Sequence, residues 1–207
     1  MNHSSLQNLF EKSLGGILEY SQITDLVSDY LAIEKMWSKF FDNMESINLV
    51  IVAEAPLSKD QYILNKDSND TDFLPKRTLK KCISAYNKNI DTSERKKIDL
   101  MRDLGIIIIE AYPFSLNPNK HKKNFKNLKS RQLKNLFKES RSWHLDKKLE
   151  TIQMKSTPET VFAFRYGRNK DVIDLIDADL NFVRLSKKVA FGPLDEDKLV
   201  NIFANFN

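Results

Sequence analysis

The sequence predicts an α/β protein, a three-layer sandwich around a mostly parallel sheet of four strands. Two unbroken apolar runs, 49–53 and 106–109, are rich in β-branched residues, which is typical of strands covered on both faces in a parallel sheet. Segments with apolar residues at helical spacing separate the candidate strands. The chain of 207 residues is long enough for one sizeable core, so we expect a single domain over 1–207.

The first half of the chain predicts helices on either side of the first strand. Gly15 and Gly16 interrupt the first helical pattern, and Ser21 is placed to cap the second helix. We expect the helices of 1–45 to pack on the sheet through their apolar stripes. The predicted elements are helices 6–19 and 23–44, strand 49–53, a loop 57–75, helices near 79–86 and at 94–104 that Gly105 ends, and strand 106–109.

The second half predicts a basic helical region, further strands and a closing helix. Lys and Arg dominate 119–148, although its apolar residues still recur at helical spacing. We expect the core of the domain to span 48–193, followed by a C-terminal helix over 195–207. The predicted elements are strand 160–167, a helix from Asn169 or Asp171, a fourth strand or strand pair within 181–193, and a last helix capped by Asp195.

Composition excludes several classes of function. The net charge of +5 and a pI near 9.1 permit an anionic partner such as nucleic acid without requiring one. The single cysteine, Cys82, excludes an internal disulfide and sites that need several thiolates, and its apolar neighbours predict a buried thiol. The histidines His3, His121 and His144 are scattered, so we expect all three at the surface and neither a metal nor a cofactor.

The sequence also predicts where the protein resides. Its start lacks a charged segment that leads into a long apolar region, and no run of about 18 apolar residues occurs. We therefore expect a cytoplasmic protein that makes no membrane contact.

A carboxylate follows each of the two apolar runs. Glu54 comes directly after 49–53, and Glu110 comes directly after 106–109. Ligands of open α/β sheets bind outside the carboxyl ends of the strands, so we expect both side chains in one crevice. A Gly-rich dinucleotide motif, a phosphate loop and a Gly-x-Ser-x-Gly motif are all missing from the sequence, which removes the usual support for nicotinamide, nucleotide-triphosphate and nucleophilic-serine chemistry.

These two strand ends resemble motifs of the uracil-DNA glycosylase superfamily. The stretch VIVAEAP, 50–56, is similar to a first motif in which a strand runs into Gly-Glu-Ala-Pro-Gly, and GIIIIEAYPF, 105–114, looks like the Tyr-Pro strand of a divergent branch. The resemblance covers about 48–193. It implies a glycosylase-like fold that recognises a base of nucleic acid, with hydrolysis of the N-glycosidic bond of a damaged or modified base as the implied activity.

The resemblance further implies roles for individual residues. Glu54 and Glu110 are the catalytic candidates: Glu54 would position the attacking water, and Glu110 would bind the base edge, where a carboxylate suits an amino group. Ala55 stands where some branches have Asp, and Phe191-Gly192-Pro193 replaces a His-Pro-Ser motif. The base-binding candidates are Ala55, Pro56, Tyr62, Tyr112 and Tyr166. The nucleic-acid-binding candidates are Lys120, Lys122, Lys123, Arg165, Arg168, Gly192 and Pro193.

The residues leave alternatives open at each step. Instead of acting in a site, the two glutamates would cap a helix or pair with a lysine. The tyrosines would pack in the core or at its rim. The basic segment would form the solvent-exposed face of an ordinary helix. The resemblance implies a monomer with nucleic acid, DNA first, as its partner. The alternatives are a binding module of the same fold that does not cleave, and an α/β enzyme of small-molecule metabolism.

Overall fold

The computed structural model describes residues 3–14, 18–56, 58–67, 73–86, 89–114, 130–165, 189–190 and 194–206. The helices are α1 (His3–Leu14), α2 (Tyr20–Asp42), α3 (Lys76–Ala85), α4 (Lys97–Asp103), α5 (Ser130–Arg141), α6 (Leu145–Gln153) and α7 (Glu196–Ala204), with a 3₁₀ turn at Lys59–Gln61. The strands are β1 (Ile47–Ala53), β2 (Ile106–Glu110), β3 (Ser156–Phe164) and the short β4 (Val189–Ala190).

The sheet is parallel, and β1 lies between β2 and β3. Val52 is opposite Ile109 on one side and Phe164 on the other, while Ala53 is opposite Glu110. β1 therefore lies in the middle of the sheet, with a parallel neighbour on each side. Because the strands are parallel, their carboxyl ends meet at one edge of the sheet.

Burial of the central strands confirms the α/β class. All five residues of β2 are buried, and six of the seven residues of β1 are buried as well. Side chains alternate between the faces of a strand, so continuous burial means that both faces are covered. β4 pairs with β3 over only two residues, so the full fourth strand stays a prediction. The predicted helix after Asn169 or Asp171 lies outside the described residues.

The helices α1 and α2 pack together and bury an aromatic stripe. Phe10 of α1 makes an edge contact with Tyr30 of α2, with 5.9 Å between the ring centroids. The expected apolar face of α2 is confirmed. Its cap is different: Ser21 lies inside the helix, and the cap is Glu19, two residues earlier. The reason is that the Glu19 N–H donates to the Gln22 side chain at 3.0 Å, as in a capping box.

A second group of helices consists of α3, α4 and α7. The side chain of Asp195 accepts from the Lys198 N–H at 2.9 Å, which confirms the predicted cap of α7. Gly105 ends the helix before β2 with φ +67°, and a Cβ there would lie 2.9 Å from the backbone of Ser46 and Asn48. Cys82 is buried as predicted, and burial raises its pKa to about 12.

Lys155 fixes the opposite, amino edge of the sheet. Its ammonium donates to the carbonyls of Phe41, Asp42 and Met44 at 2.6 to 3.1 Å, where α2 has ended and β1 is about to begin. Cations are favourable at the carboxyl end of a helix, so this contact joins α2 to β3. None of the helices in the described ranges combines the length and apolar character that a bilayer crossing needs.

Candidate functional site

The carboxyl ends of the three long strands are held in register by backbone hydrogen bonds beyond the strands themselves. The Tyr112 N–H donates to the Glu54 carbonyl at 2.9 Å, and the Arg165 N–H donates to the Val52 carbonyl at 3.1 Å. These bonds extend the parallel pairing by one or two residues on each side of β1. The segments that carry several sequence-predicted site residues therefore lie next to one another at one edge.

Glu54 is the first residue beyond the central strand. It is half-buried, as is Ala55, while Pro56 is buried. Burial, and then the nearby Glu54 carboxylate, raise the pKa of Tyr112 above its ordinary value. Glu54 therefore lies at the carboxyl edge near the Tyr112 ring, with part of its surface open to solvent.

Arg165 lies at the neighbouring strand end and stacks on an aromatic ring. Its guanidinium carbon is 3.6 Å from the centroid of Phe73, a residue of the connection between β1 and α3. Both side chains are half-buried. A cation over the face of an aromatic ring is attracted by the ring quadrupole, so this contact restricts the position of the guanidinium.

Tyr62 and Tyr112 are part of the core. Their exposed fractions are 2% and 0%, so neither ring presents a face to solvent. The Tyr62 hydroxyl lies close to the Glu110 carboxylate, although it meets no partner of good hydrogen-bond geometry among the described residues. Stacking of a base on either tyrosine requires the side chains around it to move first.

Glu110 is buried and paired with a lysine, which is one of the alternatives that the sequence leaves open. The Lys148 ammonium lies 3.1 Å from the Glu110 carboxylate and 2.7 Å from the Glu34 carboxylate. Lys148 and Glu110 are 3% and 2% exposed at their side chains, whereas Glu34 is 27% exposed. A cation from α6 thus joins the end of β2 to α2.

Electrostatics within this cluster favour a charged lysine. Burial by itself lowers the pKa of Lys148, but Glu110 and Glu34 outweigh it, so the net pKa is raised. Burial raises the pKa of Glu34, partly against the effect of Lys148. The same ammonium lies 5.0 Å from the centroid of Trp37, whose ring nitrogen donates to the Ile108 carbonyl at 2.8 Å.

His144 is buried, so the expectation of a surface position was wrong for this residue. It is 3% exposed, and its Nε2 lies 3.0 Å from the Glu110 carbonyl oxygen. A carbonyl only accepts, so Nε2 carries the proton and donates. Burial and then the Lys148 charge hold the pKa of His144 well below its ordinary range. His144 lies in the turn between α5 and α6, and the basic sequence around it gives no sign that this turn is buried.

Sequence reasoning missed Lys148, Glu34 and Phe73 as partners. A signal for Lys148 did exist, because Leu145, Lys148, Leu149 and Ile152 form one buried face of α6 at helical spacing. A lysine inside such a stripe is either a snorkelling residue or half of a buried pair. A cavity of about 440 Å³ between α2 and α6 reaches this cluster, which accounts for the partial exposure of Glu34.

Several predicted site residues lie outside the described residues: Lys120, Lys122, Lys123, Tyr166, Arg168, Gly192 and Pro193. Within the described ranges, no group of three or more His, Cys, Asp or Glu side chains is arranged to hold a metal ion. Comparisons of the chain with protein-family models, with curated proteins and with solved structures each find no match. The resemblance to the glycosylase superfamily therefore remains a prediction from the two strand-end motifs.

Replacing Lys148 by methionine should lower the free energy of unfolding by about 3 to 5 kcal/mol, because Glu110 would be left buried without its cation. Lys147→Met is the matched control on the exposed side of α6, and we expect it to change stability by less than about 0.5 kcal/mol. Chemical denaturation of both variants measures the difference. Equal losses in the two would contradict a buried ion pair.

The stability of the protein should depend on pH through His144. The unfolded chain protonates this histidine below about pH 6.5, whereas the folded protein keeps it neutral because its folded pKa is depressed. The free energy of unfolding should therefore fall on acidification, by up to about 1.4 kcal/mol per pH unit from this group.

The control for the pH experiment is His144→Gln, which keeps a donor near Glu110 but cannot titrate. His3 and His121 are present in both proteins, so they cancel in the comparison. Denaturation from about pH 7.5 to about pH 5 should show a shallower loss of stability in the variant. Parallel curves would show that His144 titrates alike in the folded and unfolded states.

Proposed function

We propose that the protein recognises a base of nucleic acid, DNA in the first instance, at the carboxyl edge of its sheet and hydrolyses the N-glycosidic bond of a damaged or modified base. The observation that carries this proposal is the position of Glu54, a half-buried carboxylate at the end of the central strand. The Arg165–Phe73 stack lies at the adjacent strand end. Together they offer a carboxylate and a planar cation to a flipped nucleotide.

In the proposed reaction, Glu54 orients a water molecule toward the sugar carbon and stabilises the positive charge that develops on the sugar. The carbon–nitrogen bond breaks, the water oxygen bonds to the sugar carbon, and the departing base takes up a proton. Arg165 donates hydrogen bonds to the base as negative charge develops there, in place of a histidine.

The proposal gives Glu110 a different task from the one that the family resemblance implies. Its carboxylate is neutralised by Lys148 and is remote from solvent, so it fixes the end of β2 instead of binding a base. Ala55 and Pro56 would line the pocket beside Glu54, with Tyr62 and Tyr112 packed behind them. The proposal includes a glycosylase-like, three-layer arrangement completed by a full fourth strand, and a monomer in solution.

A second candidate function is base recognition without cleavage. The burial of Glu110 favours it, because Glu54 is then the only one of the two predicted catalytic carboxylates that reaches solvent. A site with one carboxylate, a stacked arginine and a basic surface is sufficient for binding single-stranded or flipped bases.

Base release from oligonucleotides that carry uracil, hypoxanthine or an alkylated base tests the proposal directly. We expect Glu54→Gln to reduce release by about 100-fold or more, because the amide cannot accept a proton or stabilise a cation. Asp60→Asn, an exposed carboxylate in the following 3₁₀ turn, is the matched control and should leave the rate unchanged.

The remaining outcomes separate the candidates. Tight, salt-dependent binding without base release supports the binding module. The absence of nucleic-acid affinity even at low salt would overturn the proposal and favour a small-molecule enzyme.

A further inference from the structure

A cavity of about 230 Å³ lies where the connection after β1 meets the beginnings of α3 and α4. We call it the lysine pocket. The described residues that line it are Ile63, Asn65, Lys66, Lys76, Lys96, Lys97 and Ile98. Four of these seven residues are lysines, drawn from three separate segments of the chain. The fold therefore gathers positive charge that is dispersed in the sequence.

Three of the four lysines in this pocket have no ion-pair partner among the described residues. No carboxylate is among the described residues that line it. Within the described part of the chain, no ion pair is formed by Lys66, Lys76 or Lys96, whereas Lys59 pairs with Asp29 and Lys81 pairs with Glu196. A concave site with charge of one sign focuses the electrostatic potential and attracts counter-ions.

The first turn of α3 also lacks a negatively charged residue. Lys76 is its first residue, its first turn contains no acidic residue, and the residue before it, Pro75, supplies no side-chain cap. A cation at the amino end of a helix opposes the helix dipole, where an anion is favoured instead. A bound anion would relieve this repulsion and the repulsion among the ammonium groups of Lys66, Lys76 and Lys96.

Phe73 connects the lysine pocket to the carboxyl edge of the sheet. The Lys97 ammonium donates to the Phe73 carbonyl at 2.8 Å, and the Phe73 ring carries the Arg165 guanidinium on its face. A ligand that spans the two places would put a planar group on Arg165 and a negative group among the lysines.

We propose that the lysine pocket binds a phosphate group, namely a backbone phosphate of the nucleic acid whose base occupies the carboxyl edge. This assignment of the source rests on the proposed function, whereas the phosphate chemistry rests on the four lysines. None of the described lysines that line the pocket belongs to the basic segment that contains Lys120, Lys122 and Lys123. Phosphate contacts made by lysine position a nucleic acid and account for much of its salt-dependent affinity.

The test compares two double variants with the same change of charge. Lys66→Gln/Lys96→Gln removes two exposed lysines of the pocket, and Lys35→Gln/Lys39→Gln removes two exposed lysines of α2. The probes are inorganic pyrophosphate, measured by calorimetry, and a labelled single strand of about 12 nucleotides, measured by fluorescence anisotropy over a range of salt concentrations.

The pocket variant should bind the oligonucleotide roughly tenfold more weakly at low salt, and its salt dependence should flatten by about 0.7 in log–log slope for each phosphate that the protein no longer neutralises. The α2 variant should differ from wild type by less than about twofold, because distant surface charges are screened. Equal losses in both variants, or no loss in either, would overturn the lysine pocket as a phosphate site.

The same experiment distinguishes failure of the pocket from failure of the proposed function. Oligonucleotide binding that depends on Arg165 but not on the pocket lysines rejects the pocket and leaves the function standing. Pyrophosphate binding that depends on Lys66 and Lys96, without affinity for the oligonucleotide, supports a site for a small phosphate compound and rejects nucleic acid as its source.

Discussion

The arrangement of the carboxyl edge of the sheet depends on the ion pairs of the buried Lys148 ammonium. It lies between the carboxylates of Glu110 and Glu34, so one side chain of α6 links the last residue of β2 to α2. His144 binds the Glu110 backbone carbonyl from the same region of the chain. Burying the Lys148 and Glu110 charges is costly unless each has a partner, so packing of the helices against the strand end is favoured in the relative positions that keep these contacts.

The two strand-end glutamates lie in different surroundings. Glu110 points into the helix layer and is neutralised there, whereas Glu54 begins the connection that leaves the sheet and stays half-buried. The connection after β1 also carries Phe73, which supports Arg165 and accepts a hydrogen bond from Lys97. Recognition of a base and of its phosphate would thus depend on one connection, held over a rigid sheet edge.

The strands and most helices are predictable because their signals are local. Continuous burial of a parallel strand produces an unbroken β-branched run such as 106–109, and a glycine at positive φ explains why the helix before it ends at Asp103. The partners of Glu110 are not predictable in this way, because Lys148 is 38 residues away and its stripe on α6 resembles any other helix face. The burial of His144 is likewise not predictable, because it depends on a contact with Glu110, which is 34 residues away. A lysine pocket assembled from three segments likewise has no signature in any one of them.

The most direct test of this account is the pKa of the Lys148 side chain, measured by NMR of labelled lysine with Lys148→Met to assign the signal. Burial alone would depress this pKa below its ordinary value of 10.5, whereas a lysine held between two carboxylates should titrate above it. A raised pKa is the result that the account predicts. A depressed pKa, with a lysine that loses its proton near neutral pH, would contradict the ion cluster and with it the assignment of Glu110 to structure.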